Sequence, residues 1–301
     1  MAERDELTME LRHAQGHDVP SLKVLWHTCF GDDKPYINLF FNNLFRPEDM
    51  VVLEEDGTVV SMAALLDAPI QVDGERVSAR YLYAMCTHPE HRGKGYARKL
   101  LDYAAEYCRL LGAAAITLVP SEPSLFHFYR QAGYETAFWS RFHTATHSLR
   151  FMANGWLLPV TAAMYNKIRR ETLKMYSKTS FRKNLAFVDY SDAFIEHQLQ
   201  VCAMAGGGLL RFDTHNGTGC AAVEKGENGI CKLKELVMPP CGEDAAFILL
   251  LKNPRTRIIE ARGPELPGDR PLEDSRPFGM VKWLTLRRWK LERAFLGLAL
   301  D

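Results

Sequence analysis

Residues 86–97 read Cys-Thr-His-Pro-Glu-His-Arg-Gly-Lys-Gly-Tyr-Ala, a polar stretch punctuated by glycine that runs straight into an amphipathic pattern. From Ala97, apolar residues recur at Leu100, Leu101, Ala104, Cys108 and Leu111, and Gly112 follows as a C-cap. The spacing predicts a helix that begins at the glycines. The first turn of a helix leaves N–H groups unpaired at the positive end of its dipole, and such a turn binds phosphate. Gly93 and Gly95 let a ligand approach the backbone closely, while Arg92, Lys94, Arg98 and Lys99 add positive charge. The chemistry on offer is anion binding. A tight strand–helix turn with solvated charges is the other reading of the same residues.

Spacing narrows the anion. The pattern G-x-x-x-x-G-K-[ST] is absent, and Gly93-Lys94-Gly95 lacks the third glycine of a dinucleotide fingerprint. What fits is Arg92-x-x-Gly95-x-Ala97, and here the chain resembles the GNAT superfamily of acyl-coenzyme A N-acyltransferases. The resemblance implies that the loop Arg92, Gly93, Lys94, Gly95, Tyr96 and Ala97 holds the pyrophosphate of acetyl-coenzyme A. It further implies that the preceding strand, at Met85, Cys86 and Thr87, bonds the pantetheine arm through its backbone.

Downstream, Phe128-Tyr129-x-x-x-Gly133-Tyr134 is similar to a second signature of that superfamily, in which a helix carries a tyrosine close to the thioester sulfur. The resemblance makes Tyr129 the catalytic acid. A phenol that titrates near ~10 is protonated at neutral pH and able to donate. Packing of the phenol between Phe126 and Phe128 is the alternative.

These residues need a scaffold. Residues 113–120 are short and continuously apolar, as a strand buried on both faces should be, parallel to the strand before the loop with the helix as crossover. Upstream, residues 7–11 suit a first strand and residues 19–29 and 36–45 two helices. Residues 51–53 and 58–66 flank Asp56-Gly57, a hairpin signal, and residues 72–75 offer another turn before a strand at 80–87. Residues 138–147 should complete this first sheet. Trp26, Phe30-Gly31-Asp32-Asp33, the aromatic run at Phe40-Phe41 and Leu118-Val119-Pro120-Ser121 narrow the resemblance to bacterial two-domain acetyltransferases related to the enhanced intracellular survival (Eis) group.

The chain has 301 residues, enough for two domains of ordinary size. Beyond a seam near 148–158, helices expected at 160–175 and 194–204 are followed by strand runs at 209–212, 220–224 and 230–238. That order repeats the first half. Where the glycine loop should recur stands Pro239-Pro240-Cys241-Gly242-Glu243-Asp244-Ala245-Ala246, without the arginine or the second glycine, and two carboxylates at a helix start repel a pyrophosphate. The expected class is α/β: a GNAT fold, a mixed central sheet flanked by helices, as the catalytic acetyl-CoA-binding domain over residues 1–150. A degenerate GNAT-like domain follows over 151–301. One active site per chain follows from this.

Lysine plus arginine and aspartate plus glutamate balance at 37 each, which disfavours a polyanionic partner such as nucleic acid. Seven cysteines stand singly, without a C-x-x-C pair, and read as thiols of a reducing compartment. No apolar run suits a membrane span, so the expected location is cytoplasmic. No metal is expected, and assembly as a homo-oligomer stays open.

The activity implied is acetyl-CoA-dependent N-acetylation of a primary amine on a small molecule or peptide. The general base is open among His88, His91, ordered water and the carboxylate of Asp301, Eis relatives using a terminal carboxylate. Family architecture places Trp26, His27, Asp32, Asp33, Tyr36 and Phe40 at the acceptor end, where acid beside aromatic suits a cationic amine. Core packing for Trp26 and Phe40, and helix capping for the aspartates, explain the same residues. Two other functions are consistent with a GNAT plan: a silent acyl-CoA sensor and a Fem-type aminoacyl transferase.

Overall fold

The computed structural model describes residues 8–147, 154–176, 185–265, 274–291 and 294–300. The first half runs β1 (Met9–His13), α1 (Val19–Phe30), α2 (Lys34–Asn43), β2 (Met50–Glu55), β3 (Thr58–Asp67), β4 (Ile70–Val72), β5 (Glu75–Val77), β6 (Ala79–Thr87), α3 (Tyr96–Leu110), β7 (Ala115–Leu118), α4 (Leu125–Gln131) and β8 (Glu135–Thr146). The second runs β9 (Gly155–Pro159), α5 (Ala162–Tyr176), β10 (Phe187–Val188), α6 (Asp192–Met204), β11 (Gly208–Thr214), β12 (Gly217–Lys225), β13 (Ile230–Val237), α7 (Glu243–Leu251), β14 (Ile258–Gly263) and β15 (Ser275–Trp283).

Local chemistry sets most of these boundaries. Gly31 ends α1 in the left-handed region at φ 75°, and the Asp33 carboxylate caps α2 by accepting from Tyr36 N at 2.9 Å. Asp56 and Gly57, at φ 48° and 76°, form the β2–β3 turn. Helix α3 buries Leu100, Leu101, Ala104 and Cys108 against the sheet, each fully buried leucine stabilising the fold by about 2 kcal/mol. Leu111, past the last turn, is exposed instead.

Among the described residues twelve strands form one sheet, in the order β1-β2-β3-β6-β7-β15-β8-β14-β13-β12-β11-β9, and β10-β4-β5 form a small second sheet. Read inward from either edge, the sheet repeats. Strands β1, β2, β3 and β6 are antiparallel neighbours and β7 joins β6 in parallel. Strands β9, β11, β12 and β13 are antiparallel likewise, and β14 joins β13 in parallel. At the centre β15 lies between β7 and β8, and β8 between β15 and β14. This corrects the expectation that residues 138–147 complete the first sheet, whose next place is beside β7. That place belongs to β15, some 140 residues later in the chain, because β8 spends its other edge on β14. The expected domain boundary between residues 150 and 151 lies outside the described residues.

Helices α1, α2, α5 and α6 cover one face over a single apolar core drawn from both halves. The opposite face carries two separate cores, one beneath α3 and α4 and one beneath α7. The described cysteines are all free, and among the described residues no helix is long and apolar enough to cross a membrane.

Candidate active site

The parallel pair β6–β7 is short. Its register runs from Ala79↔Ala115 to Tyr81↔Thr117 and stops, so among the described residues the β7-facing edge of β6 carries no strand from Leu82 to Thr87. A bulge lies in this free stretch. Pairing with β3 jumps between Met62↔Cys86 and Ala64↔Tyr83, and Ala84 takes φ 49°. An L-residue in the left-handed region costs on the order of 1–2 kcal/mol, and the bulge re-aims the residues after it. The bulge lies next to Met85, Cys86 and Thr87. Ser61 Oγ donates to the Cys86 carbonyl at 2.7 Å, and Arg92 Nε donates to the Thr87 carbonyl at 3.1 Å.

The glycine loop has the predicted form. Gly93 and Gly95 stand at φ 78° and 79°, and a Cβ at either would meet nothing within 4 Å. The backbone conformation demands glycine here, and the space beside it is open. The helix starts at Tyr96, whose first-turn N–H groups face this space without a side-chain cap. The cationic side chains are more committed than their number suggests. Arg98 pairs with Asp102 at 3.1 Å, and Lys94 with Glu55 at 3.1 Å. Glu55, which the sequence reading passed over, also accepts from the Tyr96 hydroxyl and pairs with His91. The Tyr96 bond, with Lys94 and His91 after it, pulls Glu55 down to about 2 and raises Tyr96 to about 12.

Beyond the bulge, β6 forms one wall of a cavity of about 650 Å³. Tyr129 on α4 stands opposite. Its hydroxyl lies 3.8 Å from Met85 Sδ, a weak contact and its only hydrogen bond among the described residues. Its ring meets Phe128 at 5.2 Å and Tyr134 at 5.6 Å, so packing and an aim toward β6 coexist. Burial pushes the Tyr129 phenol up to about 12. The phenol is held firmly protonated at neutral pH.

Trp26, Asp32, Asp33 and Tyr36 line the far wall. Asp32 is oriented by Trp26 Nε1, which donates to it at 2.7 Å, and Tyr36 and Tyr83 join hydroxyls at 2.9 Å. Trp26 serves core and wall at once, being 1 % exposed. Phe40 is buried away from the cavity and His27 is exposed to solvent. Val201 and Met204 of α6, Glu224, Lys234 and Leu300 close the cavity, so the second half supplies part of it. Of the basic candidates, His88 accepts from Glu90 N and His91 is tied to Glu55, and neither lines the cavity. Asp301 lies outside the described residues, although its neighbour Leu300 is on the wall. Cys29, half-buried at the end of α1, was also missed. Its thiol donates to the Thr87 carbonyl at 3.6 Å, and a bond from Cys86, aided by Arg92, lowers it to about 7.

Residues 10–137 match the acetyltransferase (GNAT) domain family. An acetyltransferase of Yersinia pestis is 28% identical over 135 residues, which cover 42% of this chain and 89% of that protein. The fold resembles a GCN5-related N-acetyltransferase from Anabaena variabilis, with a TM-score of 0.73 at 15% identity over 93% of this chain and 74% of the other. An Eis protein from Mycobacterium abscessus gives a TM-score of 0.61 at 15% identity, covering 92% and 74%. A tandem GNAT protein from the clavulanic acid biosynthesis pathway gives 0.54 at 14% identity, covering 94% and 100%.

Proposed function

We propose that this chain, whose residues 10–137 match the GNAT domain family and whose fold resembles tandem GNAT proteins, is a GNAT acetyltransferase that moves acetyl from acetyl-coenzyme A directly to a primary amine. The observation that carries this reading is the alignment of three features along one strand. The unpaired edge of β6 leads to the glycine loop at one end, and its Met85 faces the Tyr129 hydroxyl at 3.8 Å. A phosphorylated thioester suits this order, because its anionic part needs the amides of residues 92–97 while its amide-bearing arm needs a free strand edge at Met85, Cys86 and Thr87.

In the reaction a neutral amine attacks the thioester carbonyl. The new C–N bond forms as the carbonyl oxygen takes the electron pair, and collapse of the tetrahedral intermediate breaks the C–S bond. Tyr129 donates its proton to the departing thiolate. The ammonium proton leaves to water, and Tyr129 is reprotonated from solvent. Asp32 and Asp33, set among Trp26, Phe30 and Tyr36, favour an acceptor with positive charge, a small molecule or peptide amine. Free cysteines throughout the described residues suit the cytoplasm.

Thiol release from acetyl-coenzyme A, measured over a panel of polyamines, aminoglycosides, amino acids and peptides, tests the reading. Turnover with at least one cationic amine is the expected result. Stoichiometric binding of acetyl-coenzyme A without turnover on any amine makes the chain a sensor.

A further inference from the structure

Three side chains of the anion loop converge on one carboxylate from another strand. Glu55 ends β2, two strands away from β6 in the sheet, and its side chain is 5% exposed. One of its oxygens accepts from the Tyr96 hydroxyl and from Lys94 Nζ at 3.1 Å. The other pairs with His91 Nδ1 and with Lys94 Nζ at 3.2 Å. His91 enters the loop, Lys94 lies between the two glycines, and Tyr96 opens α3. Beginning, middle and end of the loop are thus attached to a single buried group.

The attachment matters because glycine loses more backbone freedom on ordering than any other residue. A loop with glycines at two left-handed positions keeps one shape only if something outside it fixes that shape. The Arg92 bond to Thr87 fixes one point, and the backbone bond from His91 N to His88 O at 2.9 Å fixes another, both at the entrance. Past the first glycine, Lys99 N donates to the Gly95 carbonyl at 3.2 Å from within α3, and among the described residues Glu55 is the side chain from another element that bonds Lys94 and Tyr96. We propose that Glu55 is a positioning residue for coenzyme A, holding the glycine loop in its anion-binding conformation before the ligand arrives. The inference rests on the reading of this loop as the pyrophosphate site. A carboxylate repels a phosphate, so Glu55 assists binding only through the residues it holds, by lowering the ordering cost that binding would otherwise carry.

The test is titration of the full chain and its Glu55→Gln and Glu55→Ala variants with coenzyme A, and in parallel with pantetheine, which lacks the pyrophosphate. Glu55→Ala is expected to weaken coenzyme A about tenfold or more, the loss of charge-assisted bonds to the loop. Glu55→Gln, whose amide oxygen still accepts from Tyr96, should recover part of that loss. Pantetheine should bind all three proteins equally, and with any amine that turns over, KM for acetyl-coenzyme A should rise while kcat holds. Coenzyme A bound by Glu55→Ala as tightly as by the wild type, or more tightly, overturns the proposal and makes Glu55 a repelling charge. An equal loss of pantetheine also overturns it, as a general structural effect. If Glu55→Ala does not fold, Tyr96→Phe removes one donor and keeps the ring. It should show the same selectivity at about threefold, and a coenzyme A affinity unchanged in that variant overturns the proposal. A wild-type chain that binds no coenzyme A overturns the functional reading together with this one, whereas a binding-competent wild type with unselective variants overturns Glu55 alone.

Discussion

The two halves share one hydrogen-bonding plan and differ in what fills the gap between their parting parallel strands. In the first half β6 and β7 separate after Tyr81↔Thr117 and the cavity opens between β6, α4 and the α1–α2 corner. In the second half β13 and β14 stay paired one step longer, from Ile230↔Ile258 to Leu233↔Ala261. The gap beyond is filled by protein. Arg262 Nε donates to the Lys234 carbonyl at 2.9 Å, and its guanidinium lies 4.3 Å over the Phe278 ring. Gly263 comes so near β13 that an added Cβ would stand 3.0 Å from the Leu236 carbonyl.

The loops diverge in the same sense. Where the first half has two glycines in the left-handed region, the second has Cys241 at φ 63° and Gly242 at φ −90°. Glu243 opens α7 and pairs with Arg141 and His143, each at 3.4 Å, so the helix start already faces a carboxylate held by β8. A repeated topology fixes where a thioester slot can form. Whether one exists depends on a few side chains at the point where the strands part.

The comparison breaks most readily at the glycine loop. Gly95→Asp places an L-residue at φ 79° and a negative charge where phosphate should lie, and calorimetry should show coenzyme A binding weakened by about 10²-fold or more. Unchanged affinity would remove the distinction between the two helix starts.

Tyr129→Phe keeps the ring packing and removes only the acid, so kcat should fall by roughly 10²-fold while coenzyme A affinity holds. An ordinary tyrosine loses its proton near ~10, whereas burial holds Tyr129 to about 12. A group with a raised pKa keeps its proton as pH rises, so kcat should carry no descending limb from Tyr129 through pH ~10. A descending limb near pH ~10 that vanishes in Tyr129→Phe would show that the phenol titrates as if exposed.

Arg262→Ala sharpens the comparison from the other side. Emptying the second gap leaves the Lys234 carbonyl without that donor and should lower stability by about 1–3 kcal/mol in chemical denaturation. Coenzyme A stoichiometry should stay at one per chain, because the acidic start of α7 remains. Two nucleotides bound per chain, in the variant or the wild type, would mean that the second half is closed by Arg262 alone or not closed at all.

Much of the site was legible because its signals are local. Gly93, Gly95 and the stripe through Leu100, Ala104 and Cys108 report a helix start within one stretch of chain, and Phe128-Tyr129 sits one short strand further on. Asp56-Gly57 marked its hairpin for the same reason. The far wall of the cavity was legible only in part: Asp33 does cap α2 and Trp26 is core, yet both also line the cavity. Family architecture suggested His27 and Phe40 for the same wall, and helix phase turns them elsewhere.

By itself the sequence determined most of the elements, the glycine turn into α3 and the lack of a second such turn, since these follow from backbone preferences and periodicities over a dozen residues or fewer, whereas the donor role proposed for Tyr129 came from the resemblance of its motif. Only the tertiary structure decided that β15 completes the first half's sheet, that Ala84 carries the bulge, that Glu55 holds the loop and that Arg262 fills the second gap. Each of these joins residues far apart in the chain or depends on the strand alongside. Strand order and the depth of a buried carboxylate arise from how the elements pack, and no local pattern encodes them.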